Sequence, residues 1–314
     1  MNSLSCILLI RLQMYQLFDM RPPMRMALFL GLTGIGMIAG ALISFSIVST
    51  ILHIPFADMQ KVIMQPEYAS MAQLANALAS IIAFGLPSLA LAFFVKGDRM
   101  ANMGFAPIKS YQSIGIVILL ALFGLVLSGA LGNLTEKIPI PSHFKNWAEG
   151  LEAQYKKAML SMTHMNSFMD LAYALLAVAI VPAIIEEVYF RGTLQKILMD
   201  LTGKPFVAII LTAIFFSAIH FSYFGFLSRM ALGIVLGYIY YYSKTIWLPI
   251  LLHLLNNGIA VVTLYSIRNN PAKVDKLMDD NLPIYWGIVA LVCIYYLLNK
   301  LKYNHTDARL EKSI

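Results

Sequence analysis

The sequence has few charged residues and few cysteines, and both features limit the class of protein to which it can belong. Only 12% of the 314 residues are charged and 59% are hydrophobic, whereas a soluble domain of this length carries about a quarter charged residues. A soluble core could not bury so much apolar surface, so a bilayer must solvate much of the chain. The two cysteines, Cys6 and Cys293, lie near opposite ends and form neither a disulfide framework nor a CxxC metal or redox pair. We therefore expect an all-α polytopic membrane protein.

Several common catalytic motifs are also missing. The chain contains no HExxH, GxSxG, Walker or GxGxxG sequence, which argues against zincin-type proteases, serine hydrolases and nucleotide enzymes. The net charge of +7 does not indicate a nucleic-acid partner, because the basic residues are scattered through connecting segments, where topology signals occur.

Eight apolar segments are candidates for membrane spans, each of which needs about 20 residues. They lie near 27–53, 71–95, 112–134, 168–190, 205–222, 225–243, 245–265 and 282–300. With the N-terminus inside, the cytosolic segments hold 14 Lys and Arg residues, against 8 in the segments outside. This bias predicts that both termini are cytosolic. Short loops and the absence of a targeting extension favour a prokaryotic plasma (inner) membrane.

Ionisable side chains inside the predicted spans are concentrated in the C-terminal half. Such groups are rare at membrane depth, face the bundle interior and indicate a functional site. With two uncharged polar neighbours, the set is Glu186, Glu187, Arg191, His220, Arg229, His253, Asn256 and Asn257. Any chemistry is therefore expected within residues 180–260.

The adjacent carboxylates of Glu186 and Glu187 cannot both face one site, because neighbours on a helix point about 100° apart. Arg191 follows Glu187 by four residues, the spacing at which a guanidinium meets a carboxylate on one helix face. We expect a Glu187–Arg191 ion pair that leaves Glu186 facing the bundle. In the plainer interpretation, both glutamates mark the point where the helix leaves the membrane.

A helix-stop, helix-start signal at Gly203 and Pro205 predicts a hairpin. Glu186 lies 17 residues before Gly203 and His220 lies 17 residues after it. Both should therefore lie about 25 Å from the turn, side by side. This arrangement requires the first helix to continue past its hydropathy boundary near 190 to about Asp200.

A second polar pair, His253 and Asn257, shares one helix face at a compatible depth. A Glu and a His can together deprotonate a water molecule, and a second His and an Asn are donors suited to an oxyanion. The alternative is a Zn²⁺ site of Glu186, His220 and His253 with water as fourth ligand. Both predict hydrolysis of an acyl bond, with a peptide bond as the leading candidate.

Three short motifs, in this order and on separate spans, carry a resemblance to a known family. EEVYFRG fits Glu-Glu-x-x-x-Arg, FSAIH fits Phe-x-x-x-His, and HLLNN fits His-x-x-x-Asn. Together they resemble the CAAX protease and bacteriocin-processing (CPBP, or Abi) family of intramembrane proteases, which includes the Ras-converting-enzyme type CAAX prenyl endopeptidases. The resemblance covers about 180–260.

The resemblance implies roles for individual residues. Glu186 would be the water-activating base with His220 beside it, and His253 and Asn257 would form the oxyanion site. The family has been described both as metal-dependent and as a metal-free glutamate type, so the implied cofactor is either none or Zn.

The remaining motif residues, Glu187 and Arg191, would take supporting roles. The resemblance also implies a membrane cavity open to the cytosolic side. The expected partners are a peptide or protein substrate, which can itself be membrane-associated, and the lipid bilayer. Prenylated substrates do not follow from the resemblance.

Two other classes of function remain open. A non-catalytic membrane scaffold or bacteriocin-immunity-type protein would retain the motifs for packing. A transporter would use Glu186 and His220 as a proton relay, but transporters often show repeated halves, and here the polar residues crowd one half of the chain.

The simplest division is a single membrane domain in four parts. These are a cytosolic N-terminal lead (1–26), N-terminal membrane helices with an interfacial helix (27–166), a CPBP-like catalytic helical core (167–265), and the last span with a cytosolic tail (266–314).

The interfacial helix is expected within 135–166, between the third and fourth spans. Four residues there recur every four positions and share one face: Trp147, Leu151, Tyr155 and Met159. The helix either caps the bundle or gates a substrate.

Overall fold

The fold is taken from a computed structural model that describes residues 20–95, 97–270, 272–274 and 282–310. These residues form helices and no strand, which confirms the all-α fold class. The main helices are α1 (Pro22–Leu52), α2 (Pro66–Phe93), α3 (Gln112–Lys137), α4 (Ser142–Met162), α5 (Phe168–Thr202), α6 (Pro205–Ala218), α7 (Phe226–Ser243), α8 (Trp247–Ile267) and α9 (Ile284–Leu310).

Every predicted apolar segment falls on one of these helices. Six of the described helices, namely α1, α2, α3, α5, α8 and α9, are long and apolar enough to cross a membrane. α6 is a shorter apolar helix, and α7 carries Arg229. Large apolar side chains such as Ile35 and Ile38 on α1 and Val292 on α9 are exposed, as expected of lipid-facing surfaces. A multi-pass membrane fold follows, and the count of eight spans stays a prediction.

The start of the first helix differs from the sequence prediction. α1 begins at Pro22 rather than near residue 27, because a proline in the first turn lacks only an N–H that has no helical partner there. Most of the predicted N-terminal lead, with Cys6, lies outside the described residues.

The predicted hairpin between α5 and α6 is confirmed. α5 continues through its charged residues to Thr202, Gly203 adopts a left-handed φ of 64°, and α6 begins at Pro205. The span predicted for 205–222 is too long, however, because α6 ends at Ala218. His220 therefore lies in the turn after the helix.

Contacts between connecting segments define one end of the bundle, called here the α4 end. Ser161 of α4 donates a hydrogen bond to the carbonyl of Ile63 (3.2 Å), in the segment between α1 and α2. Glu152 of α4 accepts one from Ser222 (2.8 Å), in the segment between α6 and α7. The segments after α1, α3 and α6 therefore meet at this end.

The opposite end collects the other connections. Arg25 near the start of α1 pairs with Asp200 near the end of α5 (3.0 Å). Ser113 near the start of α3 bonds His305 on the last turns of α9 (3.0 Å). The first described helix therefore begins, and the last one ends, on the same side of the bundle.

Glycines allow two close helix contacts. On α7, a Cβ at Gly233 would lie 3.0 Å from Cβ of Ala213, and one at Gly237 would lie 2.8 Å from a methyl carbon of Ile209 on α6. The GxxxG sequence of α7 is thus a close-packing device, as small residues are in membrane helices.

Candidate active site

The backbone of α5 departs from regular α-helical geometry on both sides of the two glutamates. π-helical turns span Leu175–Ile180 and Val188–Leu194, and the α-helical segment Val181–Glu187 lies between them. Pro182 has no N–H, so the carbonyl of Val178, four residues earlier, lacks its usual helical partner. Single π turns of this kind occur frequently at functional sites.

That freed carbonyl positions Asn257. Nδ2 of Asn257 on α8 donates a hydrogen bond to the carbonyl oxygen of Val178 (3.3 Å). Its Oδ1 accepts one from the neighbouring Asn256 (3.2 Å). An amide nitrogen has two N–H groups, so the second remains for another acceptor.

The predicted ion pair of Glu187 and Arg191 is present. Nη1 of Arg191 lies 2.7 Å from Oε1 of Glu187, and both side chains are fully buried. Nη2 of Arg191 also donates to the carbonyl of Gly233 on α7 (3.1 Å). Burial of two charges is costly unless such partners compensate it. The pair therefore joins α5 to α7 as well as bracing α5.

His253 makes a contact that the sequence did not predict. Its Nδ1 lies 2.8 Å from the same Oε1 of Glu187, and its Nε2 lies 4.0 Å from Oε2 of Glu186. An ionised carboxylate oxygen can only accept, so Nδ1 is the donor. Glu187 thereby fixes the ring so that Nε2 faces Glu186, which is how a second residue orients a functional imidazole.

Phe216 is the packing centre of the site. Its ring centroid lies 4.7 Å from the guanidinium carbon of Arg191, 5.1 Å from the ring of His220 and 5.7 Å from the ring of His253. The ring is buried. This role was not predicted, and the one sequence signal for it is that Phe216 begins the Phe-x-x-x-His motif.

His220 is held by its own backbone segment. Nδ1 bonds the carbonyl oxygen of Phe216 (2.8 Å) and must be the donor, because a carbonyl only accepts. The other ring nitrogen, Nε2, is left for the cavity. The structure places the imidazole of His253 against Glu186, while His220 lines the same cavity as Glu186, and the side-by-side pairing of Glu186 with His220 stays a prediction.

One cavity of about 540 Å³ collects the four predicted catalytic residues, Glu186, His220, His253 and Asn257. The N-terminal half of the chain also contributes to its walls, through α1, α2 and α4. The four predicted catalytic residues come from 180–260, but the walls of the cavity around them are built in part by helices of the N-terminal half.

The helix α4 covers this cavity. Its residues Tyr155 and Met159, two of the four on the predicted shared face, line the cavity, whereas Trp147 is exposed. The other lining residues lie centrally or towards the α4 end of their helices, such as Arg229 at the start of α7 and Leu264 near the end of α8. The cavity therefore faces the α4 end.

This direction brings two sequence expectations into conflict. The charge count places both termini in the cytosol, and the first described helix begins and the last one ends on the side opposite α4. Without Arg191, which belongs to the buried site, the sequence count is 13 Lys and Arg residues in the segments predicted inside against 8 in those predicted outside. A cavity open to the cytosol would need the reverse orientation, so the two expectations exclude each other.

The residues proposed as zinc ligands do not form a ready metal site. The described part of the chain contains no group of three or more His, Cys, Asp and Glu side chains that could hold a metal ion. No step of the mechanism below passes through a metal.

The fold and the site define a class, namely a polytopic α-helical membrane protein with a buried cluster of carboxylates, histidines and an arginine on an internal cavity. Comparison with known families agrees with this class. A family model described as type II CAAX prenyl endopeptidase Rce1-like matches residues 168–259, which include all three motifs.

A curated relative points the same way. The chain is 26% identical over 163 residues to the putative membrane peptidase YdiL of Bacillus subtilis (strain 168), covering 50% of this chain and 61% of that protein. No solved structure matches. These two matches support the CPBP/Rce1-type family to which the three motifs pointed.

Proposed function

We propose that the chain is an intramembrane endopeptidase that hydrolyses a peptide bond of a peptide or protein substrate in the cavity beneath α4. The observation that carries the proposal is the relay of Glu187, His253 and Glu186, in which one glutamate orients an imidazole towards the other. The names of the matching family and relative, a prenyl endopeptidase and a putative membrane peptidase, support the reaction class.

The proposed reaction begins with a water molecule at the carboxylate of Glu186, on the side that faces the cavity. Its Oε2 is buried without a hydrogen-bond partner and lies 4.0 Å from Nε2 of His253, which is too long for a direct hydrogen bond. Glu186 takes a proton from the water, and the resulting hydroxide attacks the substrate carbonyl carbon. The apolar surroundings strengthen these electrostatic interactions.

Negative charge then develops on the carbonyl oxygen. Nε2–H of His253 and the second N–H of Asn257 are the proposed donors to it, with His220 nearby on the cavity wall. When the C–N bond breaks, the proton held by Glu186 passes to the leaving nitrogen. When His253 donates from both ring nitrogens it is an imidazolium with a charge of +1. Its charge and that of the Arg191 guanidinium then balance the two negative charges of Glu186 and Glu187, so the buried cluster is neutral.

We further propose a plasma (inner) membrane location with both termini in the cytosol, supported by the excess of Lys and Arg at that end. The cavity beneath α4 would then face away from the cytosol. A substrate would approach from the outer half of the membrane.

The proposal is tested by comparing protein N-termini in cells that carry wild type, Glu186→Gln or Glu67→Gln. Glu67 is exposed and serves as the matched control. New N-termini should appear with wild type and Glu67→Gln and be absent with Glu186→Gln. Equal sets with all three proteins would favour the scaffold or immunity-type alternative. Repeating purified cleavage after chelation tests for a zinc requirement.

A further inference from the structure

A second arginine, outside the three motifs, lines the same cavity. Arg229 lies in the first turn of α7, and it is the one Lys or Arg among the described residues of the cavity wall. The proposed reaction does not use it. An arginine at this depth is costly and calls for a named partner.

Arg229 has no carboxylate partner within the described part of the chain. Its side chain is absent from the ion pairs there, and its Nη1 atom is buried without a hydrogen-bond partner. The carboxylate of Glu152, on the α4 cap, instead accepts from Ser222 and from the backbone N–H of Phe224. Glu186, in the same cavity wall, faces His253.

The surrounding residues hold the guanidinium in place without neutralising it. The guanidinium carbon lies 4.4 Å from the ring centroid of Tyr155 on α4, a cation–π contact. Gly225 also adjoins the guanidinium, because an added Cβ there would lie 2.2 Å from Nη1 and 2.6 Å from the guanidinium carbon. The space that Arg229 occupies therefore depends on a glycine at position 225.

We propose that Arg229 binds a carboxylate of the substrate, either a C-terminal carboxylate or an Asp or Glu side chain. This inference rests on the proposed function, because it assigns a substrate group to the same cavity. A guanidinium offers paired donors that match a carboxylate. A charge-assisted hydrogen bond in such a cavity is strong enough to select peptides by their charge.

The test measures binding rather than turnover. Three peptides are titrated against the full-length Glu186→Gln protein in detergent: N-acetyl-Val-Leu-Ile with a free C-terminus, its C-terminal amide, and N-acetyl-Val-Glu-Ile amide. At least one carboxylate peptide should bind about tenfold or more tightly than the neutral amide. Tighter binding of the first peptide indicates that Arg229 binds a C-terminal carboxylate, and tighter binding of the third indicates that it binds a side-chain carboxylate.

Variants of the arginine and of its neighbouring glycine decide the assignment. Adding Arg229→Gln should abolish the preference, Arg229→Lys should retain part of it, and Gly225→Ala should reduce it by displacing the guanidinium. If Arg229→Gln does not fold, Gly225→Ala decides. Equal binding of all three peptides, no binding of any, or a preference that survives these changes would overturn the inference.

These outcomes differ from a failure of the proposed reaction. Full cleavage by Glu186→Gln would refute the catalytic role of Glu186 and leave the binding preference intact.

Discussion

Nδ1 of His253 donates a hydrogen bond of 2.8 Å to Oε1 of Glu187, and this bond joins α8 to α5 at the centre of the protein. The same oxygen accepts from Arg191, whose other nitrogen reaches α7. Glu187, Arg191 and His253 together thus join three helices. The neighbouring Glu186 is left facing the cavity with its Oε2 free of hydrogen bonds to the described residues, which suits a group that acts on water or substrate.

Replacing Arg191 should strongly destabilise the protein. Arg191→Met removes the guanidinium from the buried pair with Glu187, and breaking such a pair costs about 3–5 kcal/mol. The matched control is Arg25→Met, which removes a partly exposed pair with Asp200 and should cost at most about 1 kcal/mol. Unfolding in detergent measures both, and equal losses would contradict the proposed role of the buried pair.

The link between Pro182 and Asn257 predicts non-additive energetics. Pro182→Ala supplies an N–H that can bond the carbonyl of Val178, so that carbonyl no longer depends on Asn257. Asn257→Ala should therefore cost about 1 kcal/mol in the wild-type background and clearly less in the Pro182→Ala background.

A double-mutant cycle on unfolding free energies measures this coupling. Thr263→Ala is the control, because Thr263 lies on the exposed side of α8 and bonds only its own helix. Its effect should add to that of Pro182→Ala. If the effects of Asn257→Ala and Pro182→Ala on the unfolding free energy also add, the link through Val178 is refuted.

The attachment of α4 over the cavity can be tested by hydrogen exchange. Glu152→Ala removes the acceptor of the Phe224 amide (3.2 Å) and of the Ser222 hydroxyl, so exchange at Phe224 should accelerate about tenfold or more. Glu149→Ala removes only an exposed pair with Lys145 on the same helix. If both variants leave the exchange unchanged, Glu152 does not hold the cap.

The orientation of the cavity is open to direct labelling. In a background with Cys6 and Cys293 changed to serine, single cysteines replace the exposed residues Lys145, at the α4 end, and Tyr111, at the opposite end. On intact cells, a membrane-impermeant maleimide should label only the cysteine at 145. The reverse pattern would put the cavity on the cytosolic side and the termini outside.

Local spacing explains what the sequence alone could predict. The Glu187–Arg191 pair follows from a four-residue separation on one helix, and the hairpin follows from Gly203 and Pro205. Glu186, His220, His253 and Asn257 line one cavity, because polar residues in apolar spans gather in the bundle interior.

The unpredicted contacts depend on how the helices are rotated against one another. The bond from His253 to Glu187 requires that α8 turn its histidine towards the second glutamate, which no spacing within either helix determines. Asn257 is placed by a carbonyl on another helix that Pro182 has freed. The conflict between a cytosolic cavity and cytosolic termini could not be seen from the sequence, because the position of the site relative to α4 required the fold, and the orientation of the cavity stays a prediction.

The central claim is that Glu186 activates water for peptide hydrolysis, and the most direct measurement is the cleavage rate of purified Glu186→Gln. The substrate is a peptide taken from the cleavage sites that the N-terminal comparison identifies. Since a positioned general base contributes about 10²–10⁴ in rate, the variant should be at least about a hundredfold slower than wild type, with an unchanged midpoint of thermal unfolding. A folded Glu186→Gln protein that cleaves at the wild-type rate would contradict the claim.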